Sequence, residues 1–144
     1  MRSIWDLQTS ISRRLLTWSV LSISVGLVLI LLGNSFWKGF GIQAVAWGAI
    51  DAAIALLGIL RTNRRRSAHY SPELMLQEAS RLKRLLLVNF GLDFVYIAIG
   101  MALAYLRSEA SWQGHGWGIV LQGSFLLFLD FIHAWKAKIF ADYS

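Results

Sequence analysis

The sequence predicts an all-α protein, a four-helix transmembrane bundle made of two tandem, parallel-oriented helical hairpins preceded by an interfacial N-terminal helix. Three observations predict it. The 144 residues are 56% apolar and only 15% charged, against about 25% charged in an average soluble domain. The apolar residues fall into four runs, each close to the roughly 20 helical residues that cross a hydrocarbon core. Twelve of the fourteen Lys and Arg residues sit at the ends of those runs that alternate crossings would place on one side.

Residues 1–14 read as an amphipathic helix lying along the membrane surface. Ile4, Leu7, Ile11 and Leu15 share one face at helical spacing, with Trp5 beside them. Ser12-Arg13-Arg14-Leu15 then acts as a basic anchor for the first span, Leu15 to Leu32. The second span runs from about Phe36 to Leu60, the third from Leu85 to Leu106, and the fourth from about Trp117 to Trp135. Backbone groups in lipid must be bonded within the segment, so each span is helical. The chain lacks the alternating ten-residue segments of a barrel. Ser71-Pro72-Glu73 is a helix start, with serine as N-cap, proline at the first helical position and an acid in the first turn. The helix that begins there is expected to run straight into the third span. Gly114, Gly116 and Gly118, around His115 and Trp117, are expected to form a tight turn between the last two spans. The whole chain, 1–144, is one integral membrane domain: hairpin one over about 13–60, a basic loop over 61–80, and hairpin two over about 83–136.

Orientation follows from charge. Arg2, Arg13, Arg14, Arg61, Arg64, Arg65, Arg66, Arg81, Lys83, Arg84, Lys136 and Lys138 lie on one side, and only Lys38 and Arg107 on the other. The positive-inside rule puts the first group, and both termini, in the cytoplasm of a cell (inner) membrane. Trp37, Trp112 and Trp117 at one set of helix ends, and Trp5, Trp18 and Trp135 at the other, mark the two interfaces. The bilayer is therefore the expected partner, with a homo-oligomer or a partner membrane protein beside it. The basic residues flank spans instead of forming a phosphate-binding surface, so no nucleic acid is expected. Arg64, Arg65 and Arg66 are expected to meet lipid headgroups.

The two halves resemble one another. Arg13-Arg14-Leu15-Leu16 opens the first hairpin and Lys83-Arg84-Leu85-Leu86 the second. Gln43-x7-Asp51 recurs as Gln122-x7-Asp130. Both hairpins enter from the same side, which implies a pseudo-two-fold axis along the membrane normal, unlike an inverted repeat.

Chemistry, if there is any, lies in the spans. Asp51, Asp93 and Asp130 are intramembrane acids, and a charged aspartate at the bilayer centre costs about 2.5–3.5 kcal/mol on insertion scales. No Lys or Arg lies in the core of any span to pair with them, although Lys136 and Lys138 are close along the chain to Asp130. Gln43, Trp47 and Asp51 are spaced by four, as are Asn89 and Asp93, and Gln122, Leu126 and Asp130, with His133 next along. Residues four apart share a helix face. Three polar stripes are thus expected to turn inward, a cluster of Gln43, Asp51, Asn89, Asp93, Gln122, Asp130 and His133. Ala44, Gly48, Ala52 and Ala55 form a small-residue stripe that allows close helix approach. No catalytic residue is assigned. With no cysteine in the chain, thiolate ligation and thiol chemistry are excluded. His115 and His133 are eighteen residues apart on one helix, roughly 27 Å at 1.5 Å per residue, too far to share a haem iron. No cofactor and no metal are therefore expected.

Gln43-x3-Trp47-Gly48-x2-Asp51, and Gly114-His115-Gly116-Trp117-Gly118 followed by Gln122-Gly123 and Asp130, resemble an uncharacterised family of small four-helix prokaryotic integral membrane proteins. That resemblance covers most of the chain. It implies membrane location and a pair of helical hairpins, and it implies no activity. The function expected first is a small non-enzymatic accessory or interaction subunit whose buried polar groups hold the bundle together. The alternative is a proton- or cation-coupled transporter or channel using the intramembrane aspartates. An embedded enzyme or metal site built on Asp130-x-x-His133 is the third.

Overall fold

Long apolar runs interrupted by only three short polar stretches leave the chain few ways to fold. The computed structural model describes residues 4–66 and 71–142, the side chains of 66 and 137–142 aside, and these form four helices: α1 (Ile4–Leu32), α2 (Ser35–Arg66), α3 (Pro72–Leu106) and α4 (Ala110–Asp142). All four are long and apolar enough to cross a membrane, and no strand occurs among the described residues. α1 packs on α2 and α3 on α4 as two hairpins, and the hairpins meet through α2 and α4, with α1 and α3 outside them. One end of the bundle carries the two short turns, 33–34 and 107–109. The other, here called the basic end, carries the beginnings of α1 and α3 and the ends of α2 and α4.

The ends of the helices obey local chemistry. Asn34 caps α2, its Oδ1 accepting from the Trp37 N–H at 3.2 Å. Ser71 caps α3 from an extended conformation, its hydroxyl oxygen accepting from the Leu74 N–H at 3.4 Å, with Pro72 following. α3 then runs unbroken into its span, as its sequence led us to expect. Ser71→Ala is expected to cost about 1 kcal/mol at that helix start. It should appear as faster amide hydrogen exchange confined to the first turn of α3, with the spans unaffected.

The N-terminal segment is helical but has no separate axis, because α1 continues without a break from Ile4 to Leu32. Its apolar face meets protein: Ile4, Trp5 and Leu7 are buried with Ala79 of α3, and Ile11 and Leu82 pack beside them. In the last turn of α2, Arg65 pairs with Glu78 of α3 across the connection between the hairpins. A half-exposed pair of this kind adds little stability.

The glycines are where sequence and structure part. Gly114, Gly116 and Gly118 do not form a turn; they lie inside α4, and no residue described has a positive φ. The turn sits earlier, at 107–109. The reason is that α4 touches two helices at once. Cβ atoms added at Gly114 and Gly118 would run into Phe36 and Gln43 of α2, and one at Gly116 into Gly100 and Ala104 of α3. Successive small residues two apart point to opposite sides of a helix, so alternate glycines let α4 approach both neighbours.

Each hairpin also closes on a reciprocal glycine pair. A Cβ at Gly26 would lie 2.7 Å from the Gly41 carbonyl oxygen, and one at Gly41 2.6 Å from that of Gly26. In the second hairpin a Cβ at Gly100 would lie 2.8 Å from the Gly116 oxygen, and one at Gly116 2.5 Å from that of Gly100. Gly48 sits against Ser19 and Ile23, and Gly123 against Asp93 and Ile97. The small-residue stripe of α2 is used within the chain: Ala44 and Ala55 are buried, and Gly48 meets α1.

Candidate functional site

Two kinds of polar residue occupy the interior, and they differ in how they are bonded. The first kind forms a relay across three helices. The Trp18 Nε1–H donates to Gln122 Oε1 at 2.9 Å, the Gln122 amide donates to Ser22 Oγ at 2.7 Å, and Ser22 donates to the Ala44 carbonyl at 2.8 Å. Each donor meets one acceptor, and the relay ties α1 to α4 and α2. Trp18 is held further by stacking on Phe125, with ring centroids 3.8 Å apart. Nearer the short turns, Gln43 Nε2 donates to His115 Nδ1 at 3.0 Å and joins α2 to α4. Gln122→Leu should leave the Trp18 N–H without an acceptor and Ser22 Oγ without its donor. About 2 kcal/mol of bundle stability is expected to be lost, measurable as a shift in detergent-induced unfolding.

The second kind is the set of acids. Asp51 on α2, Asp93 on α3 and Asp130 on α4 are 2%, 2% and 8% exposed, so none faces the bundle exterior. No hydrogen bond among the described residues reaches any of the three; Asp51 Oδ2 and Asp93 Oδ2 are buried without a partner. His133 is completely buried, at 0%. Its Nδ1 lies 2.6 Å from the Leu129 carbonyl oxygen, which can only accept, so the ring proton is on Nδ1. In the neutral ring Nε2 carries a lone pair, and it too is buried without a partner.

The helices string these groups along the bundle axis. Gly48 packs opposite Ser19 and Gly123 opposite Asp93. Asp51 lies three residues beyond Gly48, Asp130 seven and His133 ten beyond Gly123. At 1.5 Å per residue these are steps of roughly 4.5, 10 and 15 Å toward the basic end. The acids lie within Coulombic range of one another, Asp51 of Asp93, and Asp130 of both. His133, last in the series, lies within range of Arg14 and Lys136. The described residues place no three His, Asp or Glu side chains around a point where one metal ion could sit.

Of the residues expected to form one cluster, the structure brings Asp51, Asp93, Asp130 and His133 into this column. It puts Gln122 in the bonded relay on the α1 side and Gln43 nearer the short turns. Asn89 is half-buried and makes no hydrogen bond among the described residues. Arg65 has its guanidinium on Glu78, Arg64 is engaged as well, and the Arg66 and Lys138 side chains lie outside the described residues. Ser22 takes the inward place that its spacing with Ser19 and Gly26 on one face of α1 predicts. Trp18 and His115 were missed as polar partners, the first being read as an interface aromatic and the second as part of a turn.

No curated protein and no solved structure matches the chain. One family model does, over residues 14–131, from the basic anchor of α1 to the residue after Asp130, and so across all four helices. The chain belongs to DUF6992, a family of unknown function.

Proposed function

We propose that this chain is a multi-pass inner-membrane protein whose interior acids pick up and pass protons, making it a proton-conducting or proton-coupled membrane component without enzymatic chemistry. The observation that carries the reading is the contrast inside one bundle. Gln122, Ser22 and Trp18 are bonded donor to acceptor, whereas Asp51, Asp93 and His133 each present a buried acceptor atom with no donor. Ionised carboxylates and the Nε2 of a neutral imidazole accept only. A column of acceptors without donors lacks protons or a cation, and groups spread along an axis, instead of around a point, suit a proton. An accessory subunit glued by polar contacts accounts for the relay but leaves the acids unexplained. Intramembrane acids mark proton relays in pumps and transporters.

Orientation supports entry from the cytoplasm. With twelve of fourteen Lys and Arg on the basic end, the positive-inside rule places that end and both termini in the cytoplasm, and the column descends toward it. The hairpins also read as tandem copies. Trp37-x-Gly39-x-Gly41-x3-Val45-x2-Gly48 recurs as Trp112-x-Gly114-x-Gly116-x3-Val120-x2-Gly123, offset by 75, and Ile23-x2-Gly26 as Ile97-x2-Gly100, offset by 74. The contacts follow the same offset: Gly39 meets Ser111 while Gly114 meets Phe36, and Val45 meets Gly26 while Val120 meets Gly100. Under it Asp51 matches Leu126, and Ala55 matches Asp130, so the acids are not repeat-related, and the Gln-x7-Asp spacing is not the register of the copies. A repeat whose structural glycines recur while its acids do not is what a fold with an added site would show.

The test is proton flux into proteoliposomes under an imposed pH gradient, with the membrane potential clamped and a pH dye inside. Wild-type protein is expected to dissipate the gradient faster than empty vesicles, and Asp51→Asn or Asp93→Asn protein is not. Wild-type vesicles no leakier than empty ones, or undiminished flux in both variants, would overturn the proposal.

A further inference from the structure

We infer that the groove between α1 and α4 at the basic end is a binding site for one anionic phospholipid. This proposal does not depend on the proton reading. The groove encloses about 400 Å³ and is lined by Arg13, Arg14, Trp18, Phe125, Phe128 and Ile132, among others. It exists because α1 and α4 are both held by α2 and touch each other only lightly. Its floor is fixed: Trp18 and Phe125 stack nearly parallel, 9° apart, and the indole is anchored on Gln122.

The two ends of the groove differ in chemistry. Arg13 and Arg14 are exposed and take part in no ion pair among the described residues. They stand where the apolar run of α1 begins, the depth at which phosphates of a bilayer leaflet lie. Below them the walls are aromatic and aliphatic and open sideways, with Phe128 65% exposed toward what would be lipid. Two guanidiniums above an apolar trough complement a phosphate or phosphatidylglycerol-type headgroup joined to an acyl chain, and arginine is suited to phosphate by its forked donors. A free phosphate would use the arginines but not the trough, and a zwitterionic lipid the trough but not the excess charge.

The experiment is native mass spectrometry of the full chain released from micelles containing equal amounts of phosphatidylglycerol and phosphatidylcholine. Wild-type protein is expected to retain one phosphatidylglycerol in preference. Losing both arginines, as Arg13→Gln/Arg14→Gln, should lower that preference about thirtyfold, from the usual worth of two basic residues at a membrane surface. Ile132→Trp fills the trough with both arginines kept and should also expel the lipid. Lys38→Gln, at the opposite end, should change nothing. Helical content by circular dichroism establishes that each variant is folded. Equal retention of both lipids by wild-type protein, unchanged preference in either groove variant, or displacement of the lipid by inorganic phosphate alone would overturn the assignment.

Discussion

Gly114→Ala is expected to destabilise the bundle by about 3 kcal/mol, the upper part of the range for overpacking a tight interior, whereas Gly91→Ala is expected to stabilise it by up to about 1 kcal/mol. The two substitutions add the same methyl group to a helix interior. At Gly114 the added carbon would collide with the carbonyl of Phe36, with the Phe40 N–H also in reach. Those are main-chain atoms in the first turns of α2, related as carbonyl i and amide i+4, and they cannot rotate away as a side chain would. Relief requires α2 and α4 to move apart, and that is the contact through which the two hairpins meet. At Gly91 nothing lies within 4 Å of the added carbon, so only the intrinsic preference of alanine over glycine in a helix remains. Unfolding free energies in mixed micelles or bicelles decide the matter. Similar effects at the two positions would mean that the central contact is looser than the structure has it.

The same glycines show how far the sequence could be read. The number and approximate length of the spans were legible because they depend on the solvent alone: hydrocarbon demands roughly 20 apolar helical residues. Gly114-His115-Gly116-Trp117-Gly118 was misread as a turn because glycine has two uses, freedom of φ and absence of a Cβ, and a single sequence does not say which is in force. The recurrence of Trp-x-Gly-x-Gly at 37–41 favours the second use, since those residues fall inside the second apolar run, where a turn is excluded. Inward burial of the acids followed from cost, since lipid-facing carboxyls are expelled. Their lack of partners did not, because a rotation of a few tens of degrees about a helix axis decides whether Asp51 reaches a donor. The N-terminal segment illustrates a third limit: an amphipathic face reads the same whether it rests on headgroups or, as here, on Ala79 and Leu82 of another helix.

Asp51→Asn is expected to move stability and function in opposite directions. The carboxyl of Asp51 has no hydrogen-bond donor beside it, and its neighbour Asp93 has an acceptor equally unmatched. An asparagine of nearly the same shape carries no charge and brings two N–H donors into a set of acceptors. It should therefore satisfy part of the column and raise the unfolding free energy by about 1 kcal/mol, the usual net worth of one hydrogen bond. An amide does not exchange protons in the relevant pH range, so flux should fall to the level of empty vesicles. A purely structural acid predicts something else: its replacement should weaken the bundle, as Gln122→Leu is expected to, or change nothing. Residues retained at a cost in stability are the expected mark of a working site. A variant that lost both stability and flux would speak for a structural role; one that gained stability and kept its flux would remove Asp51 from the proton path and leave Asp93, Asp130 and His133 to carry it.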